Sequence, residues 1–155
     1  MNYEAIRGWL PLVVAAMVAV LTAAPAHATD HRCSVARSEG HYAFTDNGTV
    51  IGIGPRTAVG VFSFDGAGNL TNGVATSSLN GTVAQETFSG TYTVNSDCTG
   101  TGSVTIYSGG TEALALTLEL AFDEDMREMR AVFSSVSLPD GTQLNTVINL
   151  EAKKQ

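Results

Sequence analysis

The sequence predicts an all-β domain: a single antiparallel up-and-down β-barrel of about eight strands, with a two-sheet β-sandwich as the alternative. Three observations carry this expectation. Apolar and polar residues alternate with period two, turn-forming residues recur at short intervals, and no stretch beyond the N-terminal segment has the apolar period of a helix. Without a crossover helix, parallel βαβ winding is excluded, and one-sided alternation calls for a sheet with one dry and one wet face. A chain of 155 residues with 44% hydrophobic and 15% charged residues makes one domain with a core of its own. Two cysteines are too few to staple a miniprotein.

Taken in chain order, residues 1–28 read as a cleaved signal peptide. Arg7 supplies the positive flank, Trp9 to Ala24 the apolar run, and Ala26-His27-Ala28 the small-x-small cleavage pattern before Thr29. The mature protein is therefore expected to be exported, periplasmic or extracellular, with no stable membrane insertion after cleavage. Residues 29–38 form a lead-in and residues 39–155 the barrel domain. Cys33 and Cys98 both fall in the exported part, where an oxidising compartment favours a disulfide between them. On the chain-entropy account such a bridge stabilises by roughly 4 kcal/mol.

Turn signals divide the barrel domain. They are Asn47-Gly48, Asp65-Gly66, Asn80-Gly81, Asn95 to Asp97, Gly109-Gly110, Asp123 to Asp125 and Pro139-Asp140-Gly141. Between them, Leu114, Leu116, Leu118, Leu120 and Phe122 alternate with Ala113, Ala115, Thr117, Glu119 and Ala121. Leu144, Thr146, Ile148 and Leu150 form a second such face, and Phe88, Gly90, Tyr92 and Val94 a third. Pro55, which cannot donate to a ladder, marks a bend or an edge.

Gly40-His41-Tyr42-Ala43-Phe44, then Phe64-Asp65-Gly66-Ala67-Gly68-Asn69, then Gly90-Thr91-Tyr92-Thr93-Val94-Asn95-Ser96-Asp97-Cys98-Thr99-Gly100 resemble a recurring signature of small exported bacterial β-barrel proteins. The layout, a Gly-x-aromatic opening strand followed by an eight-stranded meander, is similar to the calycin architecture of lipocalins and avidins. Tyr42 stands where the lipocalin signature has Trp. The resemblance implies an eight-stranded calycin-like barrel fold.

Function classes narrow by exclusion. A net charge of −7 disfavours nucleic acid and anionic lipid as partners. His31 and His41 do not make a zinc set once the cysteines pair, Asp65 to Asn69 is too poor in acids for a calcium loop, and no metal or cofactor is expected. No nucleophile elbow occurs and no catalytic residue is assigned, so the protein is not expected to be an enzyme. Glu86, Glu112, Glu119 and Glu128 are the carboxylates a hydrolase would have to bring together. Asp123-Glu124-Asp125 reads as a solvated hairpin tip neutralised by Arg127 and Arg130. One functional reading is binding of a small apolar or amphipathic ligand inside the barrel. The candidate lining is Tyr42, Phe44, Phe88, Tyr92, Leu118 and Phe133, and the choice of Phe62 and Phe64 over Val59 and Val61 as inward residues sets the register of the second strand. The alternative is a structural or interaction module with a filled core. It would act through a polar exterior that includes Thr71, Asn72, Thr76, Ser77, Ser78 and Thr91.

Overall fold

The computed structural model describes residues 32–155. The expected signal peptide, residues 1–28, and His31 lie outside the described residues. A 3-10 turn, Ala36–Ser38, leads into β1 (Gly40–Val50), β2 (Gly54–Phe64), β3 (Asn69–Leu79) and β4 (Thr82–Tyr92). β5 (Thr99–Ser108), β6 (Thr111–Phe122), β7 (Glu128–Ser137) and β8 (Thr146–Lys154) follow. Each strand pairs antiparallel with the next, and β8 returns to β1, so the sheet is a closed barrel in sequence order. The closing ladder runs from Tyr42 opposite Lys154 to Val50 opposite Thr146. Closure replaces the sandwich alternative and removes every free edge.

Period-two alternation decides which face is inside. In β6, Leu116, Leu118 and Leu120 are buried while Thr117 and Glu119 are exposed. Each buried leucine is worth roughly 1.5–3 kcal/mol of transfer free energy, which pins the register, because a one-residue slip would turn them all outward. Phe62 and Phe64 are buried and Val59 is 59% exposed, as the alternation in β2 requires. The interior is apolar, and the outer face carries Thr, Ser and Glu together with exposed valines such as Val59, Val83 and Val147.

Two expectations need correction. Asn47-Gly48 is not a turn: both residues lie within β1, and the chain reverses at Ile51, Gly52 and Ile53. The glycine serves packing instead, since a Cβ at position 48 would collide with the Val147 carbonyl of β8. Asn47 accepts a hydrogen bond from Thr57 across the strand at 2.9 Å. Ser77 is not exterior: it is 3% exposed and faces the lumen. The remaining turn signals coincide with connections. Asn80-Gly81 and Gly109-Gly110 join their strands with φ of 49° and 88°, and 58° and 82°, the paired positive values of a tight hairpin. Pro55 sits at the start of β2, where its carbonyl accepts from Asn80 N at 2.8 Å.

This connectivity gives the barrel two unlike ends. The lead-in and the β2–β3, β4–β5 and β6–β7 connections share one end, and the four remaining hairpin turns share the other.

Candidate functional site

The lead-in end is plugged. Cys33 is bonded to Cys98, and residues Val35 and Ser38 are drawn beneath the strands. The Tyr42 hydroxyl donates to the Ser38 carbonyl at 2.9 Å, with the Met126 carbonyl a second acceptor at 3.1 Å. Ser38 Oγ donates to the Val35 carbonyl at 2.6 Å and lies 2.8 Å from the Tyr92 hydroxyl. Burial pushes the Tyr42 phenol well above its ordinary range, so it stays a neutral donor. Phe62 stacks on Tyr42 at 5.4 Å between centroids, and Phe64 packs on Tyr92 at 3.9 Å.

Above the plug lies a cavity of about 50 Å³. Phe44, Phe62, Phe88, Phe133, Leu118 and Gly102 contribute to its wall. Inward-facing glycines seat two of the rings: a Cβ at Gly60 would meet the Phe44 ring at 2.7 Å, and one at Gly73 would meet the Phe88 ring at 2.5 Å. Gly73 follows a register shift in β3, where Asn72 takes a φ of 54°. Toward the hairpin end a second apolar space of about 150 Å³ opens among Val50, Leu79, Leu114, Val136, Leu144 and Ile148. Arg56, Ile106, Leu116 and Phe133 line both spaces. The two spaces thus share a wall inside the barrel, and Arg56 marks the narrowing between them.

The narrowing is a charged cluster that four consecutive strands assemble. Arg56 of β2 reaches Glu86 of β4 with two prongs, at 3.3 Å and 3.1 Å, and Asp46 of β1 at 3.4 Å. Ser77 of β3 donates to Glu86 at 2.7 Å. Asp46 is 1% and Arg56 7% exposed. Two atoms of this cluster, Asp46 Oδ1 and Arg56 Nε, have no partner among the described residues. Burial raises the Asp46 carboxyl above its ordinary range; the Arg56 charge opposes that rise and the Glu86 charge adds to it. One guanidinium against two carboxylates leaves the cluster formally at −1 when both are ionised.

The residues singled out from sequence sort between these regions. Phe44, Phe88, Tyr92, Leu118 and Phe133 line the cavity. Tyr42 lies outside its wall, and its hydroxyl is engaged in the plug. The glutamates are not gathered: Glu112 and Glu119 are exposed, Glu128 pairs with Lys153 at 2.9 Å, and only Glu86 enters the lumen. His41 is exposed, with Nδ1 3.0 Å from Ser63 Oγ. Asp65 closes its own turn, accepting from the backbone of Ala67 and Asn69 and from the Asn69 side chain. Asp123 likewise accepts from the backbone of Arg127 and Glu128, and Glu124 pairs with Arg32 rather than with Arg127 or Arg130. The Asp46–Arg56 pair escaped the sequence reading, although the signal was present. Asp46 is in phase with Tyr42 and Phe44, Arg56 with Phe62 and Phe64, and Glu86 with Phe88 and Tyr92. A charge on an apolar phase is the mark of a buried polar site.

No protein-family model matches the chain, and no curated protein matches it. Among solved structures it is similar to EF1p2_mFAP2b bound to DFHBI, at 12% identity and a TM-score of 0.59, over 81% of this chain and 99% of that one. A redesigned β-barrel, mFAP0, bound to DFHBI, aligns at 17% identity and a TM-score of 0.48, over 76% and 99% of the two chains. The first likeness establishes a shared barrel fold.

Proposed function

We propose that this protein is an exported binding barrel that holds a small amphipathic molecule in its lumen and performs no catalytic step. The observation that carries this reading is an aromatic-lined cavity whose wall includes a buried acid and a buried guanidinium, each with one atom that has no partner among the described residues. A barrel that needed only a filled core would gain nothing from charges at positions 46, 56 and 86, because buried ions rarely stabilise better than apolar residues of similar volume. Buried polar atoms left open at one place are the local inconsistency expected of a functional site. The space sets the ligand's size. Spaces of about 50 Å³ and 150 Å³ divided at Arg56 suit a compact, one-ring molecule rather than a long acyl chain.

The Cys33–Cys98 bridge supports an oxidising destination, and with it the reading of residues 1–28 as a signal peptide and the resemblance to exported bacterial barrels. The surplus of acids speaks against nucleic acid and anionic membranes as partners. That a barrel of the same fold is bound to DFHBI supports a lumenal ligand by analogy alone.

The test is the native mass of the protein, exported with its own N-terminal segment and purified without denaturation, before and after organic extraction. A mass excess that extraction removes, and that Phe133→Trp abolishes by filling the lumen, is expected. A bare mass, together with Ile106, Leu116 and Leu118 methyl signals that do not move on adding toluene or benzamide, would overturn the reading.

A further inference from the structure

Resting on the lumenal reading above, we propose that Asp46 and Arg56 form a recognition site for a neutral head group. That group carries an N–H or O–H donor beside a carbonyl-type acceptor, a primary or cyclic amide being the simplest case. The site is built to disfavour both carboxylate and ammonium ligands.

The inference follows from what each atom of the cluster still lacks. The terminal nitrogens of Arg56 are committed to Glu86 and Asp46, and Glu86 is further held by Ser77. The guanidinium therefore has no free fork to offer a carboxylate, which is how arginine usually takes one. The atoms left without any partner are one acceptor, Asp46 Oδ1, and one donor, Arg56 Nε, on residues that both line the cavity; Arg56 Nη1 keeps one further N–H, and the Ala58 backbone also donates to the Asp46 carboxyl. A carboxylate head would satisfy Nε but bring a negative charge against Asp46 and Glu86 in a low-dielectric lumen. An ammonium head would satisfy Asp46 and be drawn by the cluster's surplus negative charge, but it would leave Nε without an acceptor and would have to shed the hydration of a full charge in the lumen. An amide satisfies both atoms and adds no net charge. Every charged group facing the pair from the adjoining strands is already counted: Asp46 on β1, Arg56 on β2 and Glu86 on β4, with neutral Ser77 on β3.

The body of such a ligand would lie against Phe44, Phe88 and Phe133, or across the narrowing among Ile106 and Leu116. A small apolar body with one amide-like end is therefore the predicted class. Long-chain fatty acids fall outside it on both size and charge.

Four probes that share one ring separate the head from the body: toluene, benzamide, benzylamine and benzoate. Each is titrated into the extracted mature protein while the Ile106, Leu116 and Leu118 methyl signals are followed. Benzamide should bind about tenfold more tightly than toluene, and the two charged probes more weakly than toluene. Asp46→Leu should bring benzamide and toluene to equal affinity while toluene binding persists, whereas Asp46→Asn, which keeps an acceptor in place, should retain the preference. Equal binding of toluene and benzamide by the unmodified protein, or tightest binding of a charged probe, would overturn the head-group inference and leave the lumenal reading standing. No response to any of the four would overturn both. If Asp46→Leu fails to fold, the order of the four probes on the unmodified protein decides alone.

Discussion

The plugged end and the narrowing at Arg56 both lie beside aromatic rings and treat polar atoms in opposite ways. At the plugged end the Tyr42, Ser38 and Tyr92 hydroxyls are all engaged, and a disulfide ties the lead-in to the β4–β5 connection. At the narrowing, Arg56 is shared between two carboxylates and two buried atoms are left open. The difference separates two tasks. A satisfied network rigidifies and holds the fold, whereas a partly satisfied one costs stability and persists where a ligand can complete it. The plugged end holds this barrel together, and on the proposed reading the narrowing is where a ligand is recognised.

Breaking the narrowing should have the largest single effect. Arg56→Met removes the one cation facing Asp46 and Glu86, and should cost about 3–5 kcal/mol in urea unfolding, because it leaves two buried acids without a counter-charge. Replacing all three residues together, Asp46→Leu, Arg56→Met and Glu86→Leu, should restore stability to near that of the unmodified protein while losing the head-group preference. A triple variant less stable than Arg56→Met would make the cluster part of the scaffold and erase the contrast. Removing the plug's covalent tie comes next. The paired change Cys33→Ser and Cys98→Ser opens a closure of 65 residues and should cost about 4 kcal/mol, with lumenal binding retained under conditions where the protein stays folded.

The same contrast explains how much could be read from the sequence. Leu116, Leu118 and Leu120 announce their face because strand periodicity and burial agree, and Asn80-Gly81 and Gly109-Gly110 announce their turns because few residue pairs accept positive φ twice. Asn47-Gly48 has the same chemistry, yet its glycine is needed for the close approach of β8, a demand made by barrel curvature that only the closed structure reveals. Asp46, Arg56 and Glu86 sit on inward phases, but local pattern treats a charge as a surface residue. Their pairing depends on strands β1, β2 and β4 being brought to one level, so single residues pointed inward while the cluster stayed hidden.

Titration should split the two kinds of carboxylate by sign. Three exposed turn carboxylates are held below their ordinary value: Asp65 by the Asn69 side chain and then backbone N–H groups, Asp97 by the Thr99 hydroxyl and then its N–H, and Asp140 by the Thr142 N–H. The stability they give is present above the unfolded value and is lost as pH falls through the folded one. Asp46 is raised, so the folded protein binds its proton more readily than the unfolded chain does. Its ionisation destabilises as pH climbs from the unfolded value of about 3.8 through the raised one. Subtracting the denaturant-unfolding curve of Asp46→Asn from that of the parent over this range should therefore give a difference that falls with rising pH. A rising difference would place Asp46 with the turn carboxylates.

The smallest effect is the sharpest test of whether the space above the plug has a use. Gly102 lines the cavity, has no positive φ, and would give an added Cβ ordinary contacts with Leu118 at 3.5 Å and 3.6 Å. Gly60 of β2 also faces inward but seats the Phe44 ring, and a Cβ there would strike both that ring and the Val74 carbonyl. Gly102→Ala should therefore stabilise by about 0.4–1 kcal/mol, through lower entropy of the unfolded chain and a methyl placed in open space. Gly60→Ala should destabilise. If the lumen holds a ligand, Gly102→Ala should also weaken toluene and benzamide binding, so that stability and binding move in opposite directions. A gain in stability with binding unchanged would mean that the space beside Gly102 is a packing defect, and would place the ligand on the hairpin side of Arg56.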